Sequence, residues 1–180
     1  MLFLAADASV ESYTMISSST GGGPPLKSRD GLGRAVAFIG PHTLVASAFG
    51  DDTAGSGTGA VYIMELSADG VCTSYIKITD GLGLPDGTIG RYNFWGVSAA
   101  FLGDLNNDGL QAEVAVCSAH DQGGGTSKGA CLILFLASDL KTVDRFVRIG
   151  DGSGGVEAGT IKGNNFGMSV ARGDGNGDGN

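Results

Sequence analysis

One short loop of the sequence carries three oxygen-bearing side chains at alternate positions. In the stretch AAFLGDLNNDGLQAEVAVCSA these are Asp104, Asn106 and Asp108, and a glycine follows at once. Calcium takes oxygen ligands, and a calcium loop supplies them from side chains at positions 1, 3 and 5, with glycine at 6 and a backbone carbonyl at 7. Leu110 would offer that carbonyl oxygen. The spacing predicts a calcium site between two apolar segments.

The same pattern occurs again near the end of the sequence. The stretch ARGDGNGDG supplies Asp174, Asn176 and Asp178, again with a glycine after the third side chain. Aspartate, asparagine and glycine also form ordinary turns, because the short side chains hydrogen-bond their own backbone. Two copies at one place in a repeat favour calcium over turns alone. Because no closing acid follows the second copy, we expect it to bind calcium weakly or not at all.

The sequence repeats itself along most of its length. The segments GLGRAVAFIG, FWGVSAAFLG and FGMSVARG align through Gly33, Gly96 and Gly167. TGAVYIMEL and KGACLILFL form a second set, and YTMIS, YIKIT and FVRIG form a third. Recurrence at a regular interval indicates a repeat array. We divide the chain into the end of a first repeat at 1–30, a second repeat at 31–93, a third at 94–164 and the start of a fourth at 165–180.

Each whole repeat contains four strand-like apolar runs separated by glycine-rich turns. No window repeats apolar residues at helical spacing, so we expect short strands and almost no helix. Near-continuous runs such as LILFL are typical of strands that are buried on both faces. The sequence therefore predicts an all-β fold of β-propeller blades, each of four antiparallel strands, in an incomplete ring of about two to three blades. A β-solenoid is the alternative, but its rungs are much shorter than these repeats.

The chain opens late in one repeat and stops early in another, which predicts a fragment of a longer repeat protein. Its first residues, MLFLAA, lack the positive charge and the apolar length of a signal peptide. We interpret them as a strand, because LFL recurs at 134–136. An incomplete ring would expose apolar blade faces to water. We therefore expect this chain alone to associate or to be unstable.

These repeats resemble the FG-GAP repeat, the blade unit of integrin α-chain propellers. The aromatic–glycine pair stands as Trp95-Gly96 and Phe166-Gly167, and it is weakened to Leu32-Gly33 in the second repeat. The Gly-Ala-Pro element is reduced to SAF at 47–49 and to SAH at 118–120. FLGDLNNDG and ARGDGNGDG resemble the calcium loops of the family. The resemblance implies a propeller fold with calcium bound at these loops.

The resemblance also implies a closing acid at position 9 of each loop. Ala112 stands at that position in the third repeat, and Glu113 follows directly. We interpret this as a one-residue insertion, with Glu113 as the closing ligand. The second repeat has the short sequence IGPHTLVASA at this place, so no metal loop is expected there.

The family resemblance implies an extracellular or cell-surface module for binding or adhesion, with a protein or glycan ligand and further blades of the same chain as partners. Two alternatives stay open: non-catalytic blades of a larger, hydrolase-associated propeller enzyme, and a purely structural repeat array. His42 and His120 are single loop histidines, and no nucleophile elbow or zinc spacing accompanies them. Catalytic triads depend on spatial geometry that one turn rarely offers. We therefore predict that this segment is not an enzyme.

The tripeptide Arg172-Gly173-Asp174 matches the sequence that integrins recognise in their ligands. The repeat aligns its last two residues with Gly103-Asp104, so we expect Asp174 to belong to the second metal loop instead. The net charge of −8 disfavours a nucleic acid partner. No apolar stretch approaches the roughly 20 residues of a membrane span.

The three cysteines are Cys72, Cys117 and Cys131. Their number is odd and no pair has CxxC spacing, so the sequence shows no disulfide framework. Cys117 and Cys131 lie within apolar runs, and we expect them to be small buried side chains.

Overall fold

A computed structural model describes residues 1–122, 127–163 and 165–173. The all-β prediction is confirmed for these residues, which hold strands and no helix. Within the same ranges there is accordingly no helix with the length and apolar character needed to cross a membrane. The strands are β1 (Leu2–Leu4), β2 (Val10–Tyr13), β3 (Leu32–Phe38), β4 (Thr43–Ala48), β5 (Ala60–Leu66), β6 (Cys72–Ile78), β7 (Ser98–Gly103), β8 (Glu113–Ser118), β9 (Ala130–Leu136) and β10 (Val143–Gly150).

The strands form three antiparallel sheets, none of them closed into a barrel. β1 and β2 make a hairpin, and the interpretation of LFL as a strand is confirmed. The first four-stranded sheet has the order β3-β4-β5-β6, and the second has the order β7-β8-β9-β10. Each of the larger sheets is a meander, because every strand pairs with its neighbour in sequence.

The two four-stranded sheets pack face to face over a shared apolar core. β4 and β5 contribute Val45, Val61 and Ile63, and alternate residues of β8 and β9 meet them. Trp95, in the connection between the sheets, is only 1% exposed. Its indole Nε1 donates a hydrogen bond of 3.2 Å to the carbonyl of Val116. The backbone amide of Trp95 donates a 3.0 Å bond to the carbonyl of Thr58, just before β5. Trp95 therefore links the two sheets by hydrogen bonds, in addition to their apolar packing.

The two sheets correspond position by position. Ala48 pairs with Ala60 across β4 and β5, as Ser118 pairs with Ala130 across β8 and β9. The register makes Ala48 the equivalent of Ser118, so the sequence alignment of SAF with SAH is wrong by one residue. The equivalent of Ser47 is Cys117.

A glycine just before β5 and before β9 lets the next repeat approach closely. Gly59 and Gly129 have positive φ angles of 87° and 86°. A β-carbon at Gly59 would lie 2.2 Å from the carbonyl oxygen of Trp95, and one at Gly129 would lie 2.1 Å from that of Phe166. No larger side chain fits at such distances, so both glycines are required by the same backbone crossing.

A disulfide bond joins Cys117 to Cys131. The two residues stand directly opposite each other on β8 and β9. Both side chains are buried, as predicted. The interpretation that the cysteines form no disulfide is wrong, because their opposition depends on the register of the hairpin and not on any local spacing. Cys72 is free and buried on the first sheet.

Candidate metal centre

The predicted calcium ligands lie in the loop that joins β7 to β8. Gly103 at the end of β7 pairs with Glu113 at the start of β8, so the loop between them is closed at its base. Two positive φ angles bend it, 57° at Asn107 and 85° at Gly109. The glycine that the pattern places at position 6 therefore lies where the backbone needs it.

The side chains of the loop bind its own backbone amides. The two carboxylate oxygens of Asp104 accept hydrogen bonds from the amides of Asp108 at 3.0 Å and Gly109 at 2.8 Å. Asn106 Oδ1 accepts a further bond of 3.1 Å from the amide of Asp108. Asp108 Oδ1 accepts from the amide of Leu110 at 2.8 Å, and its Oδ2 accepts from Asn106 Nδ2 at 2.7 Å. These bonds hold the three predicted side-chain ligands in one compact turn.

Glu113 lies at the base of this loop and is only 1% exposed. Its Oε2 accepts a hydrogen bond of 2.8 Å from the amide of Leu105. Burial raises the pKa of Glu113, and the negative charges of Asp108 and Asp104 raise it further, while the amide of Leu105 and the positive charge of Arg145 lower it. The two acidic neighbours disfavour the ionised form of this buried carboxyl, and Arg145 and the amide of Leu105 favour it.

The residues of this loop fit calcium by their chemistry. All five predicted ligands offer oxygen, and a carboxylate oxygen that accepts one amide keeps a lone pair for a cation. Ala112, at position 9, is fully buried and has no ligand atom, which leaves Glu113 as the acid nearest to closing the site. In the described part of the chain, no three His, Cys, Asp or Glu side chains are gathered closely enough to hold a metal ion. The acids would therefore have to move together around the ion.

The second predicted loop cannot be compared in the same way. Asp174, Asn176 and Asp178 lie outside the described residues. Arg172, at the start of the tripeptide that resembles an integrin ligand, lies beside the first loop: a β-carbon at Gly103 would be 3.1 Å from Arg172 Nη1. Whether Asp174 belongs to a metal loop stays a prediction.

The first sheet has a short turn where the second has the acidic loop. β3 and β4 are joined through Gly40, Pro41 and His42, and the amide of Ile39 donates a 3.0 Å bond to the carbonyl of Thr43. Thr43 holds the position of Glu113. The turn carries no carboxylate, so it offers calcium no acidic ligand.

An ion pair that was not predicted from the sequence recurs in both sheets. Lys77 on β6 binds Asp51 at 2.7 Å. Arg148 on β10 binds Asp121 in the same way. Each aspartate follows the second strand of its sheet, and each cation is on the fourth strand. The signal in the sequence is that YIKIT and FVRIG both place the cation third, but its partner is more than twenty residues away.

A second recurring feature is an aspartate that accepts backbone hydrogen bonds in the connection after each sheet. The carboxylate of Asp80 accepts hydrogen bonds from the amides of Gly87 at 3.0 Å and Ile89 at 2.8 Å. Asp151 accepts the equivalent bonds from Gly159 at 3.0 Å and Ile161 at 2.9 Å. A hydrogen bond from Lys128, together with these two amides, lowers the pKa of Asp151 to about 2.

Comparison with known proteins leaves the family open. No family model matches this chain, and no curated protein matches it. The FG-GAP resemblance therefore stays a prediction. What the site offers chemically is an oxygen-rich loop on one sheet, at a place where the equivalent sheet has only a tight turn.

Proposed function

We propose that this chain is a segment of a calcium-binding β-propeller of FG-GAP-like blades that serves as an extracellular binding or adhesion module. The observation that carries the proposal is the position-by-position correspondence of the two four-stranded sheets. They share strand order, register, ion pairs and the glycine-dependent crossing into the next repeat. Such a unit, repeated about an axis, is the architecture of a propeller.

Both faces of each sheet are apolar, which supports the stacking of further blades in the same order as these two sheets. Val114 and Val116 of the second sheet pack in the shared core, and their equivalents Leu44 and Ala46 lie on the outer face of the first sheet. Conversely, Ile133 on the outer face of the second sheet is the equivalent of Ile63 in the shared core. The outer face of each sheet thus carries residues equivalent to those that the other sheet packs into the shared core. Further blades stacked in the same sense would cover both.

The long β7–β8 loop supports a role for calcium in holding this architecture. A bound calcium ion supplies positive charge that offsets the repulsion among clustered carboxylates. Asp104, Asn106 and Asp108 would hold it from the loop, and Glu113 would hold it from the first residue of β8. Because Glu113 is also part of a buried strand, the ion would tie the loop to the blade. The loop lies beside Arg172, and hence beside the start of the next repeat.

The disulfide bond supports an extracellular location. Disulfides persist in oxidising compartments and are rare in the cytosol. Cys117 is fully buried and Cys131 is 7% exposed, so the bond sits inside the blade. A binding module outside the cell gains stability from such a bond without needing a larger core.

Binding measurements distinguish this function from its alternatives. The disulfide-intact chain would be tested against immobilised neutral glycans, acidic glycans and extracellular matrix proteins, in calcium and in chelator. We expect saturable binding to one class of ligand. Hydrolysis of a glycan would instead support blades of an enzyme, and the absence of binding to every class would leave a structural array as the better account.

A further inference from the structure

A cavity of about 700 Å³ lies at the end of β8 opposite the β7–β8 loop. Its described walls come from the connection between the two sheets, from Asp121 and Gln122 after β8, and from Arg148 on β10. At about 3.3 Å per residue, the length of β8 separates it from the candidate metal centre by about 20 Å. Its volume falls within the range of small-ligand sites. The cavity is therefore a place separate from the calcium loop.

The floor of the cavity is a buried polar network. Asp121 is 7% exposed and Asn93 is 4% exposed. Asn93 Nδ2 donates a 3.1 Å hydrogen bond to Asp121 Oδ2, and Arg148 pairs with the other carboxylate oxygen. Arg148 Nη1 also donates a 2.8 Å bond to Ser153 Oγ. The network fixes Arg148 in place and neutralises the carboxylate of Asp121.

The rim of the cavity presents Arg91 and Tyr92. The side chain of Arg91 makes no ion pair and no hydrogen bond within the described part of the chain. Tyr92 is 57% exposed. Its backbone has a φ of 61°, an uncommon value for an aromatic residue, and its amide is held by a 2.8 Å bond to the carbonyl of Ser56. Unfavourable backbone conformations that a structure holds in place are concentrated at functional sites.

The charge of the cavity is opposite to that of the protein. Among the described residues, two arginines and one aspartate line it, whereas the whole chain has a net charge of −8. Arg148 is paired with that aspartate, so the excess positive charge is that of Arg91. A guanidinium has five N–H donors, so Arg91 and Arg148 leave several donors for a ligand. Guanidinium groups bind carboxylates in a bidentate manner and prefer them to neutral acceptors. The cavity therefore suits an anionic ligand that accepts hydrogen bonds.

The remaining groups of the lining specify the kind of anion. Thr88, whose Oγ1 donates a 2.7 Å bond to the carbonyl of Pro85, adds a hydroxyl oxygen that can still accept, and exposed Gln122 adds an amide; both suit a ligand with many hydroxyls. The exposed ring of Tyr92 adds one flat apolar surface, against which the C–H face of a sugar ring packs. An acidic peptide offers carboxylates but no array of hydroxyls, so it would match the arginine without matching the hydroxyl and amide groups of the lining. From this combination we propose that the cavity binds a carboxylate-bearing sugar, a uronic acid unit of an acidic polysaccharide.

This assignment names the ligand class of the proposed binding module and rests on that function. It does not rest on calcium, because the cavity lies at the other end of β8. Arg91 would bind the carboxylate, Tyr92 would stack on the ring, and the Asn93–Asp121–Arg148 network would form the base of the site.

Calorimetric titration with trigalacturonate tests the proposal. Its fully methyl-esterified form is the matched probe, because it keeps the sugar rings and loses the charges. We expect the free acid to bind at least about tenfold more tightly than the ester, a difference of about 1.4 kcal/mol. Arg91→Gln, which removes one charge, should weaken binding of the acid about tenfold. Lys141→Gln removes the same charge at the far end of the sheet and should leave binding unchanged.

A second variant tests the stacking surface. Tyr92→Asn removes the ring but keeps a residue that tolerates positive φ, so its fold should be preserved. We expect it to weaken trigalacturonate about tenfold or more. Equal binding of acid and ester, equal effects of Arg91→Gln and Lys141→Gln, or binding of a polyglutamate peptide but not of trigalacturonate would each overturn the proposal. Binding of another glycan or of a matrix protein would then still support the module itself.

Discussion

The two four-stranded sheets differ at two places within an otherwise shared plan. The first sheet has a tight turn between β3 and β4, whereas the second has an acidic loop between β7 and β8. The first has Ser47 opposite Val61, whereas the second has the disulfide at the equivalent positions. The shared features pack the sheets and fix their connections. The features that differ are those that would confer metal binding and covalent cross-linking.

The acidic loop and the buried Glu113 occur together. In the first sheet the equivalent residue is Thr43, whose Oγ1 lies 3.3 Å from Glu65 Oε2. Burying a carboxylate is costly unless its charge is balanced. In the second sheet the buried carboxylate of Glu113 lies next to a loop that holds further oxygen-bearing side chains. A metal site would account for this coincidence, whereas without a metal the amide of Leu105 and the charge of Arg145 are the groups that offset the cost.

The largest expected change in stability comes from truncating Trp95, which lies in the shared core. Trp95→Ala should lower the free energy of unfolding by about 4 kcal/mol, because it empties a fully buried site and removes a hydrogen bond to Val116. Leu32, which precedes the equivalent glycine in the second repeat, is only half-buried. Leu32→Ala should cost about half as much or less. Urea unfolding followed by circular dichroism would compare them, and equal losses would contradict the packing described for Trp95.

Exchanging the disulfide for the residues of the first sheet should have the next largest effect. Cys117→Ser with Cys131→Val gives the second sheet the pair found at Ser47 and Val61. For cysteines separated by 14 residues, we expect a loss of about 3 kcal/mol in the free energy of unfolding. Dithiothreitol should destabilise the wild type and leave the variant unchanged. If the reductant affected both equally, the disulfide would not be the cause.

Removing either recurring cation should have similar, smaller effects. Lys77→Met and Arg148→Met should each lower the free energy of unfolding by about 2 kcal/mol, because each removes the cation that hydrogen-bonds a buried carboxylate. Burial alone would raise the pKa of Asp51, but Lys77 and Thr53 together lower it. Ionised Asp51 therefore stabilises the fold above about pH 4, and this contribution falls as the pH drops through the folded pKa.

The pH dependence gives this comparison a clear test. The difference in unfolding free energy between Lys77→Met and wild type should shrink in urea titrations below about pH 4, as the carboxylate becomes protonated. A difference that stayed constant with pH would show that Lys77 acts through packing alone. A loss in only one of the two variants would contradict their equivalence.

The smallest expected effect is a change in one pKa. Lys128 binds Asp151 at 2.5 Å and is the main cause of its pKa of about 2. Lys128→Met should raise this pKa toward the ordinary value of about 3.9, as measured by carboxyl chemical shifts in NMR. Lys141→Met is the control and should leave it unchanged. A pKa that stayed near 2 in Lys128→Met would assign the shift to the amides of Gly159 and Ile161 alone.

Local patterns in the sequence predicted more than long-range pairings. Alternating apolar runs and glycine clusters predicted the strands, and the positions of Asp104, Asn106 and Asp108 in one loop followed from spacing alone. The disulfide and the Asp51–Lys77 pair could not be predicted in this way, because each depends on which strands stand side by side. The cavity around Arg91 combines residues from separate connections, so no single stretch of sequence marks it.

The central claim is that the loop before β8 binds calcium, and calorimetric titration tests it most directly. The account predicts calcium uptake by the wild type and its loss in Asp104→Ala with Asp108→Ala. Asp174→Ala with Asp178→Ala is the matched control, and it should retain uptake at the first loop. Calcium uptake that was unchanged in the Asp104→Ala, Asp108→Ala variant would contradict the claim.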